Sequence, residues 1–454
     1  MRSNARTGRA RLACLAAGAA AALGTLQAQR PPAVLFEGAR LIDGSGRPPI
    51  ESSAFVVSGD AFTAVGRKGE VRAPAGAVRV DLSGKVVMPG LIDAHTHPGY
   101  RKGLSFAAEN YTRDTLVVTM QRLAYHGVVA TLEMGTGRGD LPYRLRIEAP
   151  PGGALFRTAG RGFAMPDAGP APPMRDAAYG VTTEAEARAY VQSLAARSVD
   201  VIKIWVDDRG RTVPKLTPAL SRAIIDEAHR HRLRVVAHVF ELGDAKDLLR
   251  AGVDGFAHLP RDRPADDELV GLLRARPDVV LTATLWSERL GIYGRRPAWL
   301  AEPMLREAFS EQEVRALADA LARATDDELA RSRATFAVEQ QTLERLRRAG
   351  VRVAVGTDSG GVSGGPYFGW AAQIELESLV AAGFPPADAI VAGTRNSARL
   401  VGLERGGTIA PGKSADFLVL DADPLVDIRN TRRLADVYLR GDRIDREALR
   451  AGWQ

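Results

Sequence analysis

Eight short apolar runs, rich in Val, Ile, Leu and Ala, recur between residues 86 and 357. They begin at residues 86, 127, 154, 200, 234, 254, 279 and 351. Helical patterns lie between them, for example at 183–197, 217–231 and 244–251. Near-continuous apolar strands alternating with helices mark a parallel sheet covered on both faces. Eight such units predict an α/β fold in which the sheet closes into a (β/α)8 TIM barrel. The connection 287–350 has helical patterns at 311–325 and 329–348. It forms either a lid over the strand ends or a peripheral helical hairpin. The Pro/Gly-rich stretch 160–180 reads as a long loop.

The flanks have a different rhythm. Residues 33–87 read as short strands broken by Gly and Asp turns, and strands return at 416–420 and 434–440. Residues 33–87 and 403–450 are expected to form one composite β-sandwich domain, split in sequence by a barrel spanning 88–402. Two separate β-appendages would give the same pattern. Residues 1–28 read as a signal peptide, with a basic start, an Ala/Leu-rich run at 12–23 and a small residue, Ala28, for cleavage. That run is too short to span a bilayer, and no later stretch is long enough, so a periplasmic or secreted location is expected. Arg2, Arg6, Arg9 and Arg11 supply four of the seven net positive charges. The other arginines are scattered beside acids, which argues against a nucleic-acid surface. The only cysteine, Cys14, lies in the leader, so a mature chain has no disulfide and no thiol chemistry.

The chemistry gathers at the ends of the runs. His95 and His97 are two residues apart, so in a strand both rings face one side. His238, His258 and Asp358 close the fifth, sixth and eighth runs. Functional residues of such barrels come from these strand ends. His229 and His231 read as surface residues, and His126 as a helix-terminal histidine. Lys203 sits inside an apolar run in a chain with seven lysines and 54 arginines. Burial would depress its pKa and populate the neutral amine, which can take up carbon dioxide as a carbamate. A plainer reading has it snorkelling to the strand end or pairing with Asp207 or Asp208.

The order His-x-His, Lys, His, His, Asp over strands one, four, five, six and eight resembles the amidohydrolase superfamily. So do the phrases at 88–97, 201–204, 356–360 and 409–416. The likeness is strongest to the imidazolonepropionase-like branch, which also holds Xaa-Pro dipeptidases. The resemblance implies two divalent metal ions, zinc being well suited to this donor set. His95, His97 and Asp358 would hold one ion, His238 and His258 the other, with N6-carboxylysine at Lys203 bridging them. It further implies hydrolysis of a C–N bond by an activated hydroxide, with Asp358 as general acid and base.

A small-molecule substrate such as a dipeptide or N-acyl amino acid is expected. An esterase, lactonase or phosphotriesterase would use the same centre, and a non-catalytic binding protein could retain the fold. Tyr100, Arg101, Arg161 and Trp286 follow strand ends and are candidate substrate contacts, an arginine being suited to fork a carboxylate. Nothing in the sequence decides the oligomeric state.

Overall fold

A computed structural model describes residues 33–453. The signal peptide reading lies outside these residues. None of the described helices is long and apolar enough to cross a membrane.

The two flanks meet. One sheet orders its strands as Ala61–Arg67, Ser53–Ser58, Val34–Glu37 and Val78–Asp81. The other runs Arg40–Leu41, Val86–Pro89, Phe417–Leu420, Leu434–Leu439 and Asp442–Arg443. In it Val87 pairs with Val419 and Pro89 with Phe417, antiparallel, so residues more than 300 apart share one ladder. Alternate side chains of both sheets converge on Phe36, Phe55, Phe62, Phe417 and Tyr438, all buried. The Phe417 and Tyr438 rings stack at 4.2 Å, and the Phe36 ring meets Phe417 edge-on at 5.3 Å. This aromatic layer holds the two sheets face to face.

The first apolar run is not one strand. Val86–Pro89 belongs to the flanking sheet, and Leu91–Thr96 is the first of the central parallel strands. The chain changes sheets at Gly90, whose amide donates to Asp416 O while Leu91 N donates to Gly127 O. A Cβ at Gly90 would lie 2.2 Å from Cγ1 of Val129, so only glycine lets the second strand pass this close.

The other parallel strands are Val128–Glu133, Leu155–Thr158, Val201–Val206, Arg234–Val239, Gly255–Phe256, Val280–Thr282 and Arg352–Ala354. Strands one to three pair in one sheet, and four to eight in another. Backbone bonds also cross between these sheets. Asp200 N donates to Thr158 O, joining the fourth strand's start to the third. Ala94 N donates to Val355 O and Thr357 N to His95 O, joining the eighth run to the first. These strands are almost wholly buried, as their composition requires.

The loop 160–180 carries short strands at Phe163–Ala164 and Tyr179–Gly180. The connection 287–350 holds several helices, including Glu311–Ala322 and Asp326–Arg348, started by capping boxes at Ser310/Glu313 and Thr325/Glu328. Leu343 and Leu346 of the longer helix are buried in the central core, and Thr342 Oγ1 accepts from Ala265 N.

Candidate metal centre

At the C-terminal end of the first strand, His95 and His97 turn their rings to one side, as the alternation of a strand dictates. Asp358, just beyond the eighth strand, meets them. Its Oδ1 lies 3.4 Å from His95 Nε2 and 3.1 Å from His97 Nε2. Ligand atoms of these three residues lie within 4.8 Å of one another, the one such metal-compatible group among the described residues. Asp358 has φ of 57°, the left-handed region that residues with a Cβ rarely adopt.

Both histidines have a fixed tautomer. His95 Nδ1 donates to Ala257 O at 2.7 Å, leaving the Nε2 lone pair for a metal. His97 Nδ1 lies 3.0 Å from Thr136 Oγ1, which itself donates to Glu133 Oε1 at 3.0 Å. The hydroxyl must therefore accept from His97, and the Nε2 lone pair is again free. Glu133 is fully buried, and its Oε2 accepts from Thr158 Oγ1 at 2.6 Å. Burial raises the Glu133 pKa, against the hydrogen bonds from Thr158 and Thr136.

The remaining histidines continue the row. The His95 and His258 ring centroids are 4.8 Å apart, and those of His258 and His238 are 4.7 Å apart. His238 Nε2 donates to Asp207 Oδ2 at 3.0 Å, so Nδ1 is its available ligand atom. Burial lowers the His238 pKa to about 4 despite that bond. Burial also holds His95 and His258 well below the usual imidazole range. Neutral rings are what a metal needs.

Lys203 is buried, and its Nζ has no hydrogen-bond partner. Burial depresses its pKa to about 7, with Asp358 and Glu133 opposing that shift. Lys203 pairs with neither Asp207, which is bonded to His238, nor Asp208, which faces Lys215. Space for the lysine comes from Gly135, at φ of +89°, where a Cβ would lie 2.7 Å from Lys203 Cγ. Burial pushes the Asp358 carboxyl up, but the His97, His95 and Lys203 side chains around it outweigh that and hold it below the usual carboxylate range, so it stays ionised.

These side chains open on a cavity of about 190 Å3 lined by His95, His97, His238, His258 and Asp358. Its other walls are Trp205, Arg209, residues Pro170, Ala171 and Met174 of the 160–180 loop, and Gly361, Val362 and Ser363. No residue of the 287–350 connection lines it.

None of the four candidate substrate contacts, Tyr100, Arg101, Arg161 and Trp286, lines this cavity. Tyr100 is fully buried and donates to Thr136 O at 2.8 Å. Trp286 is fully buried, with Nε1 donating to Gly364 O at 2.8 Å. Arg101 donates to Gly361 O at 2.9 Å and lies over the Phe106 ring. Arg161 donates to the carbonyls of Asp176, Ala177 and Ala178 and stacks on Tyr179. Irregular loops around the strand ends leave many carbonyls without ladder partners, and these side chains satisfy them.

Sequence reasoning overlooked Glu133, Thr136, Arg209 and Met174. Glu133 carries a signal of its own, an acid that closes the apolar second strand Val128–Glu133.

A family model described as "Amidohydrolase family" matches residues 86–444. The chain belongs to this family. Among curated relatives, this amidohydrolase is 38% identical to the imidazolonepropionase of Deinococcus deserti over 104 residues, 22% of this chain and 25% of that protein. Matches to the first curated relatives span from a quarter to about half of those proteins' own length. Solved structures match more completely. A candidate prolidase from Bifidobacterium longum superposes with a TM-score of 0.72 at 28% identity, covering 93% of this chain and 99% of that one. A Xaa-Pro dipeptidase solved with bound methionine shares the fold, with a TM-score of 0.68 at 21% identity, covering 91% and 100%.

Proposed function

We propose that this amidohydrolase is a metal-dependent hydrolase that cleaves the C–N bond of a small substrate such as a dipeptide or N-acyl amino acid. The convergence of His95, His97 and Asp358 at the strand ends carries the reading. The pairings of the eight parallel strands support a (β/α)8 barrel, whose C-terminal strand ends form the mouth. The solved relatives described as a candidate prolidase and a Xaa-Pro dipeptidase support a dipeptide-like substrate. The basic, Ala/Leu-rich leader supports export to the periplasm or beyond.

The donor set fits two divalent ions, zinc being suitable. His95, His97 and Asp358 would hold one, and His238 Nδ1 with His258 the other. Lys203, with a partnerless buried amine, would bridge them as a carbamate. Bound divalent ions supply Lewis acidity toward a carbonyl and lower the pKa of water.

The chain's own residues do the rest. Ala257 O and Thr136 fix the tautomers of His95 and His97, and Asp207 fixes that of His238. Ionised Asp358 can accept the proton of the attacking water and deliver it to the departing amine nitrogen. The loops at 170–174 and 361–363 narrow the cavity and limit its water.

The test is a hydrolysis screen of zinc-reconstituted protein over dipeptides, N-acyl amino acids, lactones and organophosphates. Release of free amine from the first two classes is expected. Turnover of only the last two would move the assignment to the esterase-type reading, and turnover of none would overturn it.

A further inference from the structure

We propose that Arg209 receives the free carboxylate of the substrate, restricting this enzyme to acyl donors whose leaving amine carries an acid group. The inference rests on the hydrolase reading above and assigns its specificity.

Apart from the histidines, Arg209 is the only cationic side chain lining the cavity among the described residues. Arg101 and Arg161 do not line it: Arg101 lies over Phe106 and donates to the carbonyl of the wall residue Gly361, and Arg161 donates to the carbonyls of Asp176, Ala177 and Ala178. Unlike Arg161, Arg209 is not consumed by backbone carbonyls. Of five guanidinium donors, the structure engages one nitrogen, Nη2, with Gly169 O. The remaining donors leave an edge that can fork a carboxylate.

The position of Arg209 is built. The stretch Arg209, Gly210, Arg211 has φ of 49°, 69° and 69°, three successive left-handed residues after the fourth strand. An arginine in that region is strained, and the Asp207 side chain holds it there by accepting from Arg209 N at 2.8 Å. The other oxygen of the same carboxylate orients His238. One side chain thus ties the turn bearing Arg209 to a candidate metal ligand. The turn that carries Arg209 is thereby held to the strand end that bears His238, with both residues facing one cavity.

The rest of the cavity agrees with a compact amino-acid leaving group. Met174, Trp205, Pro170 and Val362 supply apolar walls to this cavity of about 190 Å3. A neutral amide or ester would leave the guanidinium facing a group that cannot pair with it.

The experiment compares N-acetyl-L-alanine with N-acetyl-L-alaninamide on zinc-loaded wild type, Arg209→Lys and Arg209→Gln, with metal content and melting temperature recorded for each. In the wild type the amide should have a KM roughly 10- to 100-fold above that of the acid. In Arg209→Gln that ratio should fall toward one through a rise in the acid's KM, with kcat changing less. Arg209→Lys should lie between, keeping charge but losing the fork. Metal content should stay at the wild-type level in both variants. Equal KM values in wild type, or an unchanged ratio in Arg209→Gln, would overturn this inference and leave the hydrolase reading standing. A wild type that hydrolyses no carboxylate-bearing amide would overturn both.

Discussion

The two halves of the candidate centre are built differently. On one side, His95, His97 and Asp358 come from the first and eighth strands and already lie within ligand distance of one another. Each of those rings has a hydrogen-bond partner on its far nitrogen, and behind His97 the chain of partners continues through Thr136 and Glu133 to Thr158. On the other side, only His238 has such a partner, Asp207, and no hydrogen bond to His258 occurs among the described residues. Between the halves stands Lys203, buried without a partner. The first half is preorganised by the protein alone. The second depends on what Lys203 becomes. A mature metal site needs its ligands oriented before binding, so the halves should differ in affinity and in tolerance to mutation.

The largest effect should come from Lys203→Ala. Removing the bridging group is expected to lower kcat/KM by about 100-fold or more and to release the ion of the second half first. Steady-state kinetics together with metal analysis checks this, and full activity in that variant would break the comparison.

Next come the orienting residues, one per half. Asp207→Asn should weaken the second ion by roughly 10- to 100-fold, measured by competition with a chelator. Thr136→Val should weaken the first ion less, because His95 and Asp358 keep their own supports. A larger loss from Thr136→Val than from Asp207→Asn would reverse the ranking of the halves.

The smallest effect separates loss of the site from loss of the fold. His126 caps the helix Arg113–Tyr125, is fully buried, and donates from Nδ1 to Arg122 O. Burial lowers its pKa to about 3 from 6.5. The unfolded chain therefore binds this proton before the folded one does. The stability of the neutral ring is fully present above about pH 6.5 and is lost as pH falls toward 3. Denaturant melts of His126→Asn should show a stability slope shallower by about one proton across that window, with metal content unchanged. An unaltered slope would show that acid sensitivity arises elsewhere.

Much of this fold and centre is legible in the amino-acid sequence, for physical reasons. Parallel strands covered on both faces must be apolar throughout, so the runs stood out and their polar ends stood out with them. Lys203 was conspicuous because lysine is scarce here and rarer still inside a strand. What sequence could not give depends on close approaches between distant segments. The break at Gly90 follows from Val129 passing beside it. The committed states of Arg101 and Arg161 follow from carbonyls that loop geometry leaves open. Arg209 sits in a hydrophilic stretch that resembles any exposed turn. Its role emerges only when Asp207 is seen to hold both that turn and His238.

We propose that Lys203 joins two unequal half-sites. Its most direct test is the metal stoichiometry of zinc-reconstituted protein after graded chelation, for wild type and Lys203→Ala side by side. Wild type should hold two ions per chain and lose them in two steps, with Lys203→Ala retaining only the tighter one. A single ion in wild type, or two equally held ions in Lys203→Ala, would contradict it.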